Sequence, residues 1–321
     1  MEKPASMKEY EYNAKVMGTD LSVAIITNSK NLADNLYSVS LAEIQAYEKT
    51  FSRFLPDSEL SQLNEKKEMV VSPIFMEVFL KAQELFLETN GVFNPLVQIE
   101  RFGYDKNFDE IKNINFEEKV KDGETLSGNY DIDFSKIVVD RNLSKIILSA
   151  GQKLDFGGFL KGYLAEKIAK KIKLDYEKFD SEKIKGVIVN IGGDIHTQGF
   201  DANDQEFIFS IYNPITKQDD IQTKLYNSSL ATSGTYKRFW QSSEKTIHHI
   251  LDETGTKNPV SNVISASVIN SDGSRADAYA KVFLSLGHEK ALKMLSDENP
   301  ENDKIQFIII KNNGEIIKNT N

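Results

Sequence analysis

The chain has 321 residues, 40% of them hydrophobic, with no cysteine and a formal net charge of −9 at pH 7. The absence of cysteine excludes disulfide frameworks, thiolate metal sites and cysteine nucleophiles, and the acidic balance argues against a broad nucleic-acid-binding face. The length allows one large domain or about two smaller ones, and no apolar run approaches the ~18 residues of a membrane-spanning helix.

In chain order, the hydrophobic pattern predicts an N-terminal β-hairpin, two helices, a charged loop over 100–135 and a second hairpin. The first helix covers 31–51. The second begins at Pro73, which suits the first helical turn, and ends at Asn90 and Gly91. The predicted strands of this half of the chain are 10–16, 21–27, 137–140 and 145–149.

The second half mixes strands and helices without a regular βαβ order, which favours an α+β fold over a doubly wound parallel sheet. One helix follows residues 155–158 and runs through Lys173, and two more cover 274–286 and 289–295. The predicted strands are 186–191, 206–212, 221–226, 246–251, 263–270, 305–310 and 315–317.

Two glycine-bearing segments are candidates for anion binding. Residues 155–163 place glycines at the start of a helix, where backbone N–H groups and the helix dipole attract negative charge, with Lys161 close behind. Residues 190–194 follow an apolar strand, a common position for ligand loops. Each segment also fits a simpler interpretation: a strand-to-helix turn with a surface lysine, and a tight turn in which Asp194 satisfies local N–H groups.

Two further segments carry polar groups suited to phosphate binding or proton transfer. Residues 231–238 set small hydroxyl side chains and a glycine before Lys237 and Arg238, a pattern that fits either a phosphate clamp or an ordinary polar loop. His248 and His249 point to opposite faces of a strand, so they cannot easily bind one ion. One of them can face a site as base or hydrogen-bond donor, or one can be packed and the other solvated.

Asp277 and Lys281 lie four residues apart on a predicted helix and therefore share one face. An exposed ion pair at this spacing would contribute only a few tenths of a kcal/mol. The alanines that flank Asp277 indicate close packing and favour a buried or site-facing carboxylate.

Together these segments follow the order found in the bacterial FAD:protein FMN transferases, also known as thiamine biosynthesis lipoproteins. The sequence resembles this family from about Met17 to Leu286. The matching segments are 17–19, 52–54, 58–64, 91–95, 155–163, 190–194, 231–234, 249–255 and 276–278. The resemblance implies a single α+β catalytic domain over 1–321, with mixed and antiparallel sheets, packed helices and an FAD cleft between two lobes. Residues 287–321 would add a terminal helix and hairpin.

The resemblance also implies which residues hold the substrate FAD and a Mg²⁺ ion. The magnesium ligands would be the backbone carbonyl of Gly158 and the carboxylate of Asp277. The catalytic residues would be Asp277 and His249, the latter accepting a proton or steadying the phosphate. The residues expected to bind FAD are Met17, Ser52, Arg53, Phe54, Phe93, Asn94, Asp155, Lys161, Asn190, Gly192, Gly193, Asp194, Ser233, Gly234, Arg238 and Leu251.

The implied reaction transfers FMN from FAD to a Thr or Ser hydroxyl of an acceptor protein and releases AMP, with Mg²⁺ neutralising charge on the phosphates. Two residues that differ from those usual in the family bear on this reaction. Lys281 stands where the family usually has a metal-binding Thr, and Asn94 stands where many members have Asp. The alternatives are an FAD pyrophosphatase that yields FMN and AMP, and an FAD-binding protein that does no chemistry.

The resemblance implies a partner and a location as well. The partner would be a flavoprotein subunit or domain that carries the target Thr or Ser, and a homodimer is left open. Members of the family mostly work outside the cytoplasmic membrane and are often lipid-anchored. We therefore expect a membrane-associated, extracytoplasmic location, although the sequence has neither an apolar signal core nor an anchoring cysteine.

Overall fold

The structure, a computed structural model, describes residues 6–96, 99, 130–176, 184–236, 239–242, 245–248, 250–252, 254, 255, 257–259, 261–298 and 305–320. The helices are α1 (Lys30–Phe51), α2 (Glu59–Lys66), α3 (Pro73–Glu88), α4 (Leu160–Tyr176), α5 (Gly273–Leu286) and α6 (His288–Glu298). The strands are β1 (Lys8–Val16), β2 (Thr19–Thr27), β3 (Glu68–Val70), β4 (Val138–Asp140), β5 (Lys145–Ile147), β6 (Ile184–Ile191), β7 (Asp194–Gly199), β8 (Phe207–Asn213), β9 (Gln218–Leu225), β10 (Ser229–Gly234), β11 (Phe239–Ser242), β12 (Lys245–His248), β13 (Val263–Asn270), β14 (Gln306–Lys311) and β15 (Ile316–Lys318).

An eight-stranded sheet forms the centre of the fold, in the order β1-β2-β6-β7-β10-β13-β14-β15, and all its neighbouring strands are antiparallel. The smaller units β3-β5-β4, β8-β9 and β11-β12 are antiparallel too. This arrangement confirms the predicted α+β fold. Within the described ranges, no helix is long and apolar enough to cross a membrane.

Two tight turns meet at one end of the main sheet. The β1–β2 turn consists of Met17 and Gly18, with φ of 50° and 67°, the positive values that a two-residue hairpin loop requires. The β6–β7 turn consists of Gly192 and Gly193, with φ of 66° and 99°. The Gly192 N–H donates to the carbonyl of Asp20 at 2.8 Å, which ties the two turns together.

Helices α4 and α5 pack on one face of the main sheet and cross each other at two glycines. A Cβ added to Gly162 would lie 2.2 Å from the carbonyl oxygen of Gly273, so a larger residue could not approach this closely. The same Cβ would lie 2.9 Å from the Cβ of Asp277. The crossing therefore holds Asp277 of α5 against the first turn of α4.

Alternate side chains of the main sheet pack into two hydrophobic layers, one on each face. Ala231 and Val268 belong to the large core under the helices. Leu230, Ile269 and Ile308 point the other way and pack with the β8–β9 ribbon. Helix α1 contacts β1, β2, α2 and α4, so the helices gather on the face opposite the ribbon.

Most predicted elements are confirmed to within a few residues, including the helix that starts at Pro73 and the terminal hairpin. Helix α2 was not predicted. It begins after Ser58, and the Ser58 hydroxyl caps it by accepting from the N–H of Ser61 at 3.0 Å. The interpretation of 231–238 as a loop is wrong for 231–234, which lie inside strand β10. The predicted loop over 100–135 falls largely outside the described residues.

Candidate active site

A cavity of about 530 Å³ lies where the β1–β2 turn, the C-terminal end of α1, the start of α4 and one face of α5 meet. The described residues that line it are Met17, Gly18, Glu48, Phe51, Ser52, Arg53, Phe54, Leu55, Val92, Phe93, Asn94, Ile99, Asp155, Gly157, Gly158, Leu160, Lys161, Ile250, Leu251, Asp252, Lys281, Val282 and Ser285.

Aromatic rings pack along one wall of the cavity and behind it. Phe51 stacks on Phe75 with ring centroids 5.3 Å apart, and Phe93 meets Phe159 edge-on at 5.9 Å. Phe156 joins the two pairs through contacts of 5.7 Å with Phe51 and 6.0 Å with Phe159. Each such pair contributes about 0.5–1.5 kcal/mol beyond area burial, so this apolar wall is held in shape without a ligand.

An ion pair between Arg53 and Asp155 spans another part of the wall. Arg53 follows the end of α1, and its Nε lies 3.2 Å from Oδ2 of Asp155. The guanidinium carbon also lies 4.2 Å from the ring centroid of Phe54, a cation–π contact. The other carboxylate oxygen of Asp155 accepts from the N–H of Gly157 at 2.8 Å. The pair therefore fixes the segment that precedes α4.

The side-chain amide of Asn94 forms hydrogen bonds to the backbone through both its nitrogen and its oxygen. Its Nδ2 donates to the carbonyl of Ile132 at 2.9 Å, and its Oδ1 accepts from the N–H of Leu96 at 2.9 Å. An ionised Asp could accept the second bond but could not donate the first. This gives a physical reason for an asparagine at position 94.

A buried polar network, formed by Lys161, Asp194, Ser233, Asp277 and Lys281, lies beside the cavity. Lys161 Nζ contacts Asp194 Oδ2 and lies 3.9 Å from Asp277 Oδ2. Lys281 Nζ contacts Asp277 Oδ1 and donates to the Asp277 carbonyl at 3.2 Å and to Ser233 Oγ at 3.4 Å. Both lysines line the cavity, whereas Asp194 and Asp277 are only 3% and 1% exposed.

The charges of this network offset one another. Burial, and secondly the neighbouring Asp277 carboxylate, raise the pKa of Asp194, while the ammonium groups of Lys161 and Lys281 act in the other direction. In their charged forms, two ammonium groups face two carboxylates. Burying charges is tolerable only when they are paired in this way.

Helix α5 presents three polar side chains to this region at a spacing of four residues: Asp277, Lys281 and Ser285. Residues at this spacing share one helix face. Ser285 lines the cavity, and its Oγ is buried without a hydrogen-bond partner among the described residues. It is therefore a candidate for a hydrogen bond to a ligand in the cavity.

Comparison with known proteins identifies the family to which this site belongs. The sequence model of the ApbE family matches residues 17–306. This chain belongs to the ApbE family.

Similar proteins in this family carry names that describe flavin transfer. The chain is 23% identical to an FAD:protein FMN transferase of Klebsiella pneumoniae (strain 342), over 96% of the chain and 91% of that protein. It is 26% identical to one of Buchnera aphidicola subsp. Schizaphis graminum, over 93% of the chain and 86% of that protein. These matches confirm the resemblance found in the sequence.

Solved structures confirm the ApbE fold. The ApbE protein of Thermotoga maritima superposes with a TM-score of 0.79 at 22% identity and covers 97% of both chains. The apo form of the Pseudomonas stutzeri flavinyl transferase ApbE gives a TM-score of 0.73 at 16% identity, over 98% of this chain and 95% of that one.

The fold brings many of the FAD-binding residues predicted for this ApbE family member to the cavity. Those that line it are Met17, Ser52, Arg53, Phe54, Phe93, Asn94, Asp155, Lys161 and Leu251. Asp194 and Ser233 lie behind the wall, in the polar network. Gly234 ends β10. Gly192 and Gly193 form the β6–β7 turn, and Asn190 precedes it in β6. Asn190 Oδ1 accepts from the Gly193 N–H at 2.8 Å. These three residues are not among the described lining residues. His249 and Arg238 lie outside the described residues.

Several lining residues are absent from the sequence-based site. Glu48 and Phe51 belong to the last turn of α1, and Val282 and Ser285 belong to α5. Only Ser285 left a signal in the sequence, its spacing of four from Lys281. The others reach the cavity through tertiary packing.

The predicted magnesium site at Gly158 and Asp277 can be tested against the groups in place. Mg²⁺ takes oxygen ligands in near-octahedral geometry. One oxygen of Asp277 contacts the ammonium of Lys281, and the other lies 3.9 Å from that of Lys161. In the part of the chain that the structure describes, no group of three or more His, Cys, Asp or Glu side chains could hold a metal ion. Because both of its oxygens face ammonium groups, Asp277 as placed here does not fit a ligand for Mg²⁺.

Proposed function

We propose that this chain is an FAD:protein FMN transferase, which moves FMN from FAD to a Thr or Ser hydroxyl of an acceptor protein and releases AMP. The family match carries the proposal, because it spans residues 17–306 and the curated relatives bear that name. The cavity supports it. Its volume of about 530 Å³ falls in the range of small-molecule and cofactor sites.

The lining chemistry suits a flavin dinucleotide. Phe51, Phe54 and Phe93 offer apolar surface for the ring systems. Among the described lining residues, the cationic groups are those of Arg53, Lys161 and Lys281, and a pyrophosphate requires such groups. We propose that the flavin and adenine contact the rings while the lysines face the phosphates.

The proposed chemical step is a displacement at phosphorus. The hydroxyl oxygen of the acceptor forms a bond to the FMN phosphorus, the bond from that phosphorus to the AMP oxygen breaks, and AMP leaves. The hydroxyl proton passes to a base, for which His249 remains the sequence-based candidate. Lysine ammonium groups at the cavity wall would stabilise the charge that develops on the phosphate oxygens. No part of this step is assigned to Mg²⁺, since Asp277 already faces two ammonium groups.

The test is covalent flavin transfer. The protein is incubated with FAD and an acceptor protein that an established FAD:protein FMN transferase labels under the same conditions. We expect a fluorescent acceptor band on a denaturing gel and one AMP per flavin attached. An acceptor labelled by the established enzyme but not by this chain would contradict the proposal.

The same assay separates the two alternatives. Release of FMN and AMP without acceptor would indicate an FAD pyrophosphatase. Tight FAD binding without AMP release would indicate a binding protein, an alternative favoured only by the contact of Lys281 with Asp277.

The family resemblance supports a partner and a place of action. We propose that the partner is a flavoprotein subunit or domain carrying the target Thr or Ser, and that transfer takes place outside the cytoplasmic membrane. Cell fractionation followed by in-gel flavin fluorescence would test this. Labelled acceptor restricted to the cytosol would contradict it.

A further inference from the structure

Lys281 occupies the place between the two groups that were expected to hold a metal ion. A Cβ added to Gly158 would lie 3.8 Å from Cδ of Lys281, so the lysine stem runs past Gly158. The ammonium at its end contacts Asp277 Oδ1. The side chain thus reaches from one expected magnesium ligand to the other.

The partners of this ammonium are all oxygen atoms. Besides Asp277 Oδ1, they are the carbonyl oxygen of Asp277 at 3.2 Å and Ser233 Oγ at 3.4 Å. A carboxylate, a carbonyl and a hydroxyl are also the donor types that a hard divalent cation takes. Lys281 therefore uses the oxygens of a metal site for its own three N–H groups.

We propose that the Lys281 ammonium, held by Asp277, replaces a divalent cation at the pyrophosphate, so that this chain binds FAD without Mg²⁺. The proposal rests on the proposed function, since it takes FAD as the ligand. Lys281 lines the cavity and is 21% exposed in its side chain, so a phosphate oxygen can reach it. The longest of its contacts, to Ser233, is the one that a phosphate oxygen would replace most easily.

Charge balance points the same way. With Lys161, the network formally holds two ammonium groups and two carboxylates, so it needs no further cation. A threonine at 281 would remove one ammonium, leave an excess of negative charge and add a hydroxyl oxygen. That change would create the conditions that attract a divalent ion.

The experiment measures FAD binding by isothermal titration calorimetry, in EDTA and in excess MgCl₂, for the wild-type protein and three variants. The wild-type Kd is expected to agree within about twofold between the two buffers. Lys281→Thr is expected to bind FAD at least about tenfold more weakly in EDTA and to regain affinity in MgCl₂. Lys281→Met, which keeps the stem without the charge, is expected to bind weakly in both.

Lys170→Thr is the matched control. Lys170 also pairs with a carboxylate four residues before it, Glu166, but on α4 and outside the described cavity lining. Its FAD affinity is expected to equal that of the wild type in both buffers.

The outcomes separate the two proposals. FAD binding by the wild type that weakens at least about tenfold in EDTA would overturn the role of Lys281 and leave the transferase proposal standing. That comparison needs no variant, so it holds even if Lys281→Thr does not fold. Absence of FAD binding in both buffers would overturn the transferase proposal and this inference together.

Discussion

Ser285 lines the cavity with a hydroxyl group that has no hydrogen-bond partner among the described residues. A buried polar group in this condition costs free energy, and a ligand that satisfies it recovers that cost. Because the hydroxyl lies on the same face of α5 as Lys281, we propose that it binds FAD rather than stabilising the fold.

Replacing Ser285 with alanine should therefore weaken FAD binding and raise the free energy of unfolding of the unliganded protein, because the change removes an unsatisfied buried group. One hydrogen bond contributes about 0.5–1.5 kcal/mol, so the Kd should rise about two- to tenfold. Calorimetric titration with FAD and urea unfolding measure the two quantities. Ser38→Ala, at an exposed hydroxyl on α1, is the control and should change neither. An unchanged Kd for Ser285→Ala would show that the hydroxyl faces no ligand atom.

Single residues also show how far a sequence specifies a site. Arg53, Asp155 and Lys161 could be predicted because each belongs to a short motif, and all three line the cavity. Glu48 could not, since it reaches the cavity only because α1 ends beside it. Asp277 was expected on a shared face with Lys281, but its contacts depend on a helix crossing that no local pattern encodes.

At the scale of secondary structure, elements with clear apolar periodicity could be predicted and those without it could not. The apolar stripe along α1 and the apolar run along β2 identify both elements. Helix α2 has eight residues and buries only Leu60 and Leu63, too few for a periodic signal. Strand β10 buries small polar residues such as Ser229 and Ser233, so it resembles a loop in sequence although it lies inside the sheet.

The crossing of α4 and α5 yields a prediction for Gly162→Ala. Alanine favours helix by about 1 kcal/mol over glycine, but its Cβ would lie 2.2 Å from the Gly273 carbonyl oxygen. Overpacking of this kind costs about 1–3 kcal/mol or more, so the clash should outweigh the propensity. Urea unfolding should show a net loss of stability, and FAD affinity should fall because Asp277 and the start of α4 move apart.

Lys171→Ala, at an exposed position of the same helix, is the comparison for this effect. It should change the free energy of unfolding by no more than about 0.5 kcal/mol. Gly162→Ala with stability equal to or above the wild type would mean that the two helices can separate freely, and the account of how Asp277 is positioned would then be wrong.

At the scale of the whole molecule, a net charge of −9 has to coexist with the proposed binding of an anionic dinucleotide. The fold provides positive charge locally, because Arg53, Lys161 and Lys281 come from three separate segments of the chain to one cavity. Composition alone could exclude a broad basic face but could not reveal this convergence. It depends on sheet order and on helix packing, which bring distant segments together.

The main sheet also contains a group that ties global stability to pH. His196 on β7 is fully buried; its Nδ1 lies 2.6 Å from Ser229 Oγ and its Nε2 2.8 Å from Gln198 Nε2. An amide nitrogen only donates, so Nε2 accepts and Nδ1 carries the proton of a neutral ring. Burial, and secondly the Lys170 ammonium, lower the pKa of His196 from 6.5 to about 3.

This lowered pKa predicts acid destabilisation. Below about pH 6.5 the unfolded chain binds a proton at this imidazole that the folded chain does not, so stability falls as the pH falls toward 3. The expected loss from His196 between pH 7 and pH 5 is about 2 kcal/mol, measured by urea unfolding at each pH.

His196→Gln should be less stable at pH 7 but should lose about 2 kcal/mol less on acidification. His288→Gln removes a different imidazole and keeps His196. Its free energy of unfolding should therefore decrease on acidification as that of the wild type does. Equal losses in wild type and His196→Gln would mean that other groups govern the acid response.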